Sequence, residues 1–329
     1  MKVCICGGGA LGHACAAIFG SRKGVTVNLL TGHPELWGQE VVAKASNGTL
    51  YQSHLNAVSD NPAVVIPGQD IILLCLPGFL MEKTMTQIRP FIGDALIGSV
   101  VASTGFFFFA HKLLPPGTRL FGFQRSPYIA RVESYGKSVA LKGFKPSIAM
   151  AVENIPDPES FASVLSDLFM TPITLLGSSL EVSVSNSNPI LHTGRLYTMF
   201  KGREEALFDH NILFYEEWTD EASRVLIAMD QEFFRLLDAL NLHGTLTLLE
   251  YYESDDVASL TRKLSSIPAF KGIISPMKKV DGGWKADYTS RYFTEDFPFG
   301  LRWIKELAEE NNIKTPVIDE VYAWGMDRL

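Results

Sequence analysis

The sequence predicts an α/β fold, with an N-terminal doubly wound parallel sheet followed by a C-terminal all-helical domain. Three observations predict it. Apolar strand-like runs alternate with helix-like segments over residues 1–100, a pattern that implies a parallel sheet covered on both faces. A glycine-rich turn, Gly7-Gly8-Gly9-Ala10-Leu11-Gly12, links the first of these strands to the first helix. From about Leu180 the apolar spacing is mostly helical. At 329 residues the chain exceeds what one core comfortably serves, so two domains are expected. The boundary is set near the Ser- and Gly-rich stretch Gly177-Ser178-Ser179, giving domains 1–180 and 181–329.

Each element follows from its residues. Lys2 to Cys6 is a short apolar run ending in glycines and reads as a buried strand. Ala10 to Gly20 is Ala-rich at helical spacing. Val25 to Leu30 is the second strand, and Glu35 to Lys44 reads as a helix. Ala63 to Ile66 and Ile71 to Leu76 are further strand-like runs; the latter ends at Pro77 and a helix follows to Ile88. Leu96 to Ala102 is another strand, and Phe106 to Phe109 is a short core run. Arg119 to Phe123, Ser138 to Leu141 and Ser147 to Val152 extend the sheet. Pro158 to Phe169 is a helix capped by Asp157, with Pro158 in its first position. In the second domain Pro189 to Phe200, Ala222 to Leu240, Asp256 to Leu264 and Leu301 to Glu310 read as helices. Pro and Gly clustered at 268–283 mark loops.

Composition narrows the partners. Lys and Arg total 29 against 36 Asp and Glu, a formal charge of −7. Nucleic acid and anionic membranes both call for a dense cationic surface, so neither is expected as a partner. At 47% hydrophobic and 20% charged the chain is neither disordered nor collagen-like. No apolar run is long enough to span a bilayer. The first residues could pass for a leader, but Gly7-Gly8-Gly9 interrupts the apolar stretch. The cysteines, at 4, 6, 15 and 75, lie inside apolar runs. Buried free thiols in a reducing cytoplasm explain them better than a disulfide framework. No metal-ligand spacing is present.

The glycine turn matches G-x-G-x-x-G in a strand–turn–helix setting, the dinucleotide-binding signature of a Rossmann fold. Gly7 permits the tight turn, Gly9 lets the backbone approach a pyrophosphate, and Gly12 lets helix and strand pack. Ala10 and Leu11 open the helix whose N-terminus faces the anion. At the end of the second strand an NAD site usually carries Asp or Glu. Here the residue is Thr31, followed by Gly32 and His33. The expected cofactor is NADP or NAD, with a slight lean to NADP because no carboxylate stands there. Leu76 and Pro77, at the carboxyl end of their strand, are expected to wall the cofactor.

Two further stretches carry chemistry. In Asn186-Ser187-Asn188-Pro189-Ile190-Leu191-His192, Asn188 suits an N-cap and Pro189 the first helical position. His192 then shares a helix face with Asn188, and the positive end of the helix disfavours an imidazolium there. Such a histidine suits proton transfer at a carbonyl or imine. A lone histidine near a helix start is more often structural, and the other six histidines keep that explanation. In Ser290-Arg291-Tyr292-Phe293-Thr294-Glu295-Asp296, Arg291 suits a carboxylate by geometry, and Asp296 could orient an imidazole.

The Gly loop, the Asn-x-Asn-Pro-x-x-His stretch at 186–192 and the Arg-Tyr-Phe-Thr-Glu-Asp stretch at 291–296 together resemble the octopine/opine dehydrogenase family, across both domains. The resemblance implies NAD(P)H-dependent reductive condensation of an α-keto acid with the amino group of an amino acid. It implies His192 as acid/base, Asp296 as its partner and Arg291 on a substrate carboxylate. Gln124 and Arg131 resemble, more weakly, the substrate-facing end of the family's first domain. Two alternatives stand beside it. One is a ketopantoate reductase-like 2-keto acid reductase, which would use a lysine where this chain has His192. The other is a non-catalytic NAD(P)-sensing protein. The helices of the second domain suit a homodimer and a buried core equally well.

Overall fold

In the computed structural model, which describes residues 1–329, the run Lys2–Cys6 is strand β1, with its last four residues fully buried. The chain folds as two units, Met1–Asn186 and Ser187–Leu329.

The first unit continues in chain order through α1 (Ala10–Gly20), β2 (Thr26–Leu30), β3 (Glu40–Ala45), β4 (Leu50–His54), β5 (Ala57–Ser59) and α2 (Pro62–Val65). Next come β6 (Ile71–Leu74), α3 (Gly78–Ile88), β7 (Leu96–Ser99), α4 (Phe106–Leu113) and β8 (Leu120–Phe123). It closes with β9 (Tyr128–Ser134), β10 (Ser138–Phe144), β11 (Ile148–Glu153), α5 (Pro158–Phe169), β12 (Ile173–Leu175) and α6 (Ser179–Val184). Eight strands form the main sheet in the order β12-β11-β8-β7-β6-β1-β2-β5. All neighbours run parallel except β8 and β11. Strand order reverses at β1, which pairs with β2 on one side and β6 on the other; in open α/β sheets this is where ligands bind.

Two expected elements change type. Glu35 to Lys44 is not a helix but a single 3₁₀ turn, Pro34–Leu36, followed by β3. The β-branched pair Val41-Val42 packs better in a sheet than in an isolated helix. There β3 pairs antiparallel with β4 and parallel with β10. β9 completes this separate sheet of four strands, in the order β4-β3-β10-β9. Ser138 to Leu141 therefore belongs to the smaller sheet and does not extend the main one. Ala63 to Ile66 is not a strand but lies in the short helix α2 and its C-cap. Asn61 caps α2 by accepting from Ala63 N at 3.0 Å, with Pro62 next, and these start signals outweigh a brief apolar run. At α5 Asp157 caps as expected, accepting from Ser160 N at 3.0 Å.

The second unit is helical but for one hairpin. Its elements are α7 (Asn188–Phe200), α8 (Asp220–Ala239), α9 (Leu248–Tyr251), α10 (Val257–Ser266), β13 (Met277–Val280), β14 (Gly283–Ala286), α11 (Arg291–Thr294), α12 (Arg302–Glu310) and α13 (Pro316–Met326). Leu226, Met229, Phe233, Leu236 and Leu237 form the buried stripe of α8 at helical spacing. α7 packs on it where Gly194 leaves room: a Cβ there would lie 3.1 Å from Met229 Sδ. No helix is long and apolar enough to cross a membrane.

Asp230 sits among these apolar residues at 6% exposure, and its carboxylate accepts from Leu248 N at 2.9 Å. Burial pushes its carboxyl up to about 6. Because the folded group holds its proton more tightly than the unfolded one, the contribution of Asp230 to stability is greatest below about pH 4 and falls as pH rises toward 6. The loss amounts to roughly 3 kcal/mol. Asp230→Asn keeps an acceptor for Leu248 N and removes this titration. It should raise the melting temperature at pH 8 by several degrees and flatten the decline between pH 4 and 6. An unchanged pH dependence of melting would contradict this.

Candidate active site

The glycine turn is dictated by close approaches. Gly7 has φ +121°, and a Cβ there would stand 2.5 Å from Cys75 O. A Cβ on Gly12 would stand 1.8 Å from Gly7 O, so only glycine lets α1 pack this tightly against the turn. Gly9 is the N-cap of α1 and offers no side chain to the first N–H groups. Beyond its Cα the space is open for at least 4 Å. An uncapped helix N-terminus facing open space is what a pyrophosphate requires.

That space belongs to a cleft of about 660 Å³ whose walls include Gly7, Gly8, Gly9, Thr31, Leu76 and Pro77. Ala10, Leu11 and Gly12 are not among its walls; the first two open α1 and Gly12 packs beneath Gly7. The cleft residues fit a dinucleotide: glycines at the anion site, apolar Leu76 and Pro77 after β6, and hydroxyls at the end of β2. Thr31 Oγ1 accepts from His33 N at 3.4 Å and lies 3.5 Å from Tyr135 Oη. Asp60, just past β5, lines the same cleft. The edge strand therefore brings near the end of β2 the carboxylate that position 31 lacks.

Tyr135 reaches the cleft from the β9–β10 turn, which α1 holds in place. Gly136 N donates to His13 Nε2 at 2.7 Å, while His13 Nδ1 lies 2.9 Å from Gly9 O. The His13 ring is fully buried, its centroid 4.1 Å from that of Trp37, and burial lowers its basicity.

In the second unit, α7 carries His192 and the segment before Phe297 carries Asp296. They lie 104 residues apart in sequence, yet His192 Nδ1 donates to Asp296 Oδ2 at 2.9 Å. The carboxylate only accepts, so Nδ1 holds the hydrogen and Nε2 is free to act. Asp296 stands at the N-cap of a π-helical turn, Phe297–Leu301. Its Gly300 lies so close to Pro189 that a Cβ would stand 2.8 Å from the ring carbon Cγ. The two side chains are 14% and 21% exposed, sheltered but reachable.

Aromatic rings hold the imidazole. Tyr292 lies 4.8 Å away between centroids and Phe214 lies edge-on at 5.6 Å. The Tyr215 hydroxyl stands 3.4 Å from His192 Nε2. Burial, with Tyr292, Tyr252 and Asp296 nearby, holds the Tyr215 phenol well above the usual tyrosine range. Burial and Asp296 likewise raise that of Tyr292. Arg195, 3% exposed, pins the segment that carries Phe214 and Tyr215. Its Nε donates to Phe214 O at 3.1 Å and its Nη2 to Glu217 O at 2.7 Å. Burial lowers its guanidinium to about 10, which leaves it charged at neutral pH.

The family model for the NAD/NADP octopine/nopaline dehydrogenase α-helical domain matches residues 175–329. Octopine dehydrogenase of Mizuhopecten yessoensis is 26% identical over 100% of this chain and 90% of its own length. Tauropine dehydrogenase of Arabella iricolor is 26% identical over 98% of this chain and 89% of its own length. The solved structure of octopine dehydrogenase with NADH and L-arginine superposes with a TM-score of 0.90 at 25% identity, over 100% of this chain and 89% of that one. Residues 175–329 match that family's α-helical domain, and the whole chain is similar to octopine and tauropine dehydrogenases.

Asn188 is the first residue of α7; Ser187 holds the N-cap position expected of it. It is exposed, four residues before His192. Arg291 opens α11 and is exposed, with no ion pair or hydrogen bond from its guanidinium. Gln124 lies in the first unit, past β8, and its Nε2 donates to Ser185 Oγ at 2.8 Å. Arg131 is exposed on β9 and its Nη1 donates to Ala130 O at 3.0 Å. The cysteines are free, with Cys4, Cys6 and Cys15 buried and Cys75 half-buried at the cleft. Sequence reasoning missed Tyr215, Tyr292, Asp60 and Tyr135. Tyr292 stands inside a motif already singled out, whereas no spacing links Tyr215 to His192 or Tyr135 to Thr31.

Proposed function

We propose that the protein is an NAD(P)H-dependent opine dehydrogenase-like oxidoreductase. It joins an α-keto acid to the amino group of an amino acid and reduces the resulting imine to a secondary amine. The observation that carries this is the His192–Asp296 pair at 2.9 Å, with Nε2 left available. His192 takes a proton from the incoming amine and delivers one to the departing oxygen, while Asp296 fixes the ring and supports its charged form. Arg291 takes a substrate carboxylate through its planar guanidinium, and Asn188 and Gln124 contribute further substrate contacts. Gly7, Gly9 and the helix start at Ala10 and Leu11 would hold the pyrophosphate, Gly12 would support the turn, and Thr31, Leu76 and Pro77 would wall the nucleoside parts. When bound, the reduced nicotinamide supplies the hydride for the imine carbon. Free cysteines suit a cytoplasmic setting.

Solved octopine dehydrogenase structures contain NADH with L-arginine, agmatine or pyruvate, which makes pyruvate and L-arginine the first substrates to try. The test is a panel of keto acids paired with amino acids, following the absorbance of NADH and of NADPH. The expected result is oxidation that requires both partners and yields a secondary amine. A hydroxy-acid product without the amine would instead indicate direct keto-acid reduction. Dinucleotide binding with no oxidation would indicate a sensor. In the same assay Arg291→Ala should raise KM for the keto acid about 10- to 100-fold, the worth of a charge-assisted hydrogen bond. An unchanged KM would remove its role.

A further inference from the structure

We propose that Tyr215 is a catalytic residue whose hydroxyl, together with His192 Nε2, holds the oxygen of the keto acid while that oxygen is expelled. This rests on the reductive condensation proposed above.

Tyr215 is 6% exposed, and its hydroxyl makes one hydrogen-bond contact, to His192 Nε2 at 3.4 Å. That is long for such a bond, beyond about 3.2 Å, so most of the donor's capacity is unspent. Buried hydroxyls normally find full partners. The position of the hydroxyl is set instead by its ring. The ring stacks on Phe270 at 4.1 Å and 21°, meets Phe214 edge-on at 4.9 Å, and lies parallel to Trp218 at 6.1 Å. Arg195 anchors the backbone on either side, at Phe214 O and Glu217 O. A donor fixed in advance by packing, with little of its own bonding to give up, is the arrangement that stabilises developing charge at low cost.

Two atoms 3.4 Å apart can both reach a single oxygen at about 2.8 Å. His192 Nδ1 is committed to Asp296, so Nε2 and the phenol define where that oxygen sits. The step then balances. His192 first removes a proton from the substrate ammonium. The freed nitrogen lone pair forms the C–N bond, and the carbonyl π pair moves onto oxygen, where the Tyr215 O–H donates to it. One proton from the attacking nitrogen, passed by way of His192, and the proton His192 already took both reach the oxygen. The C–O bond breaks, water leaves, and the nitrogen lone pair closes the C=N bond. Tyr215 keeps its own proton throughout, as a phenol shielded from water does.

The experiment compares Tyr215→Phe and site-specific 3-fluorotyrosine at position 215 with the parent, in the full chain. The substrates are NADH, pyruvate and the amino acid most active in the panel. Tyr215→Phe should lower kcat/KM for pyruvate roughly 10²-fold, leaving the melting temperature and the Kd for NADH, measured by calorimetry, within twofold of the parent. 3-Fluorotyrosine, a stronger donor of the same shape, should match or exceed the parent rate. Parental kcat/KM in Tyr215→Phe would overturn the assignment. So would a loss of rate that appears with 3-fluorotyrosine as well. Where Tyr215→Phe destabilises the chain, 3-fluorotyrosine decides alone: a rate that holds or rises supports the assignment, and a fall overturns it. A parent enzyme that oxidises neither NADH nor NADPH with any substrate pair would remove the condensation itself. An active parent beside an equally active Tyr215→Phe would remove only the role of Tyr215.

Discussion

His192→Ala should bind NADH and NADPH as the parent does yet turn over about 10²–10⁴-fold more slowly, the usual worth of a positioned acid/base group. Binding is spared because every residue lining the dinucleotide cleft lies in the first unit, whereas His192 is on α7 in the second. Turnover is lost because condensation moves protons at both nitrogen and oxygen, and in the neutral tautomer held by Asp296 the ring presents one unprotonated nitrogen for that work. Removing the ring also opens a space beside Tyr292 and Phe214, whose centroids lie 4.8 and 5.6 Å from it. A fall in stability of about 1–3 kcal/mol should accompany the substitution. His192→Gln fills most of that volume without an acid/base group, so it should recover stability and not rate. Single-turnover rates with saturating dinucleotide, read beside the dinucleotide Kd, check this. A rate near that of the parent would remove His192 from the mechanism.

What could be read from the sequence follows from what is local. The glycine loop was legible because strand, turn and helix are contiguous and each glycine answers to a neighbour in the same stretch, as Gly12 does to Gly7. Asp157 was legible as a cap because its acceptor role reaches only to Ser160. Glu35 to Lys44 was not, because β3 exists only by pairing with β4 and β10, and the latter lies about a hundred residues downstream. The same distinction divides the site. His192 and Asp296 were each marked by a local motif, but Tyr215 meets the imidazole only through a turn anchored by Arg195. Position 31 announced the lack of a carboxylate. Only the alignment of β5 beside β2 shows Asp60 lining the same cleft. Both dinucleotides therefore belong in the assay.

Asp296→Asn should cost about 10²–10⁴-fold in kcat while sparing dinucleotide binding and much of the stability. The amide is nearly isosteric with the carboxylate, so the packing of the π-helical turn against Pro189 need not change. What changes is the hydrogen bond at Nδ1. A carboxylate can only accept, which forces the hydrogen onto Nδ1 and leaves Nε2 bare. An amide can turn its NH₂ to the ring, and then Nδ1 becomes the acceptor and Nε2 carries the hydrogen. In that tautomer Nε2 cannot take a proton from the incoming amine. With its oxygen turned to the ring instead, the amide restores the geometry but supplies no negative charge for the imidazolium that forms during turnover. In a site where the two side chains are only 14% and 21% exposed, water makes up little of that loss, since charges at such separations interact more strongly as the effective dielectric falls. Asp296→Glu separates these effects: it keeps the charge and the acceptor but moves them by one methylene, so it should recover part of the rate that Asn loses. Equal loss in Asn and Glu would show that position alone matters, and parental activity in Asn would show that the pair at 2.9 Å is structural.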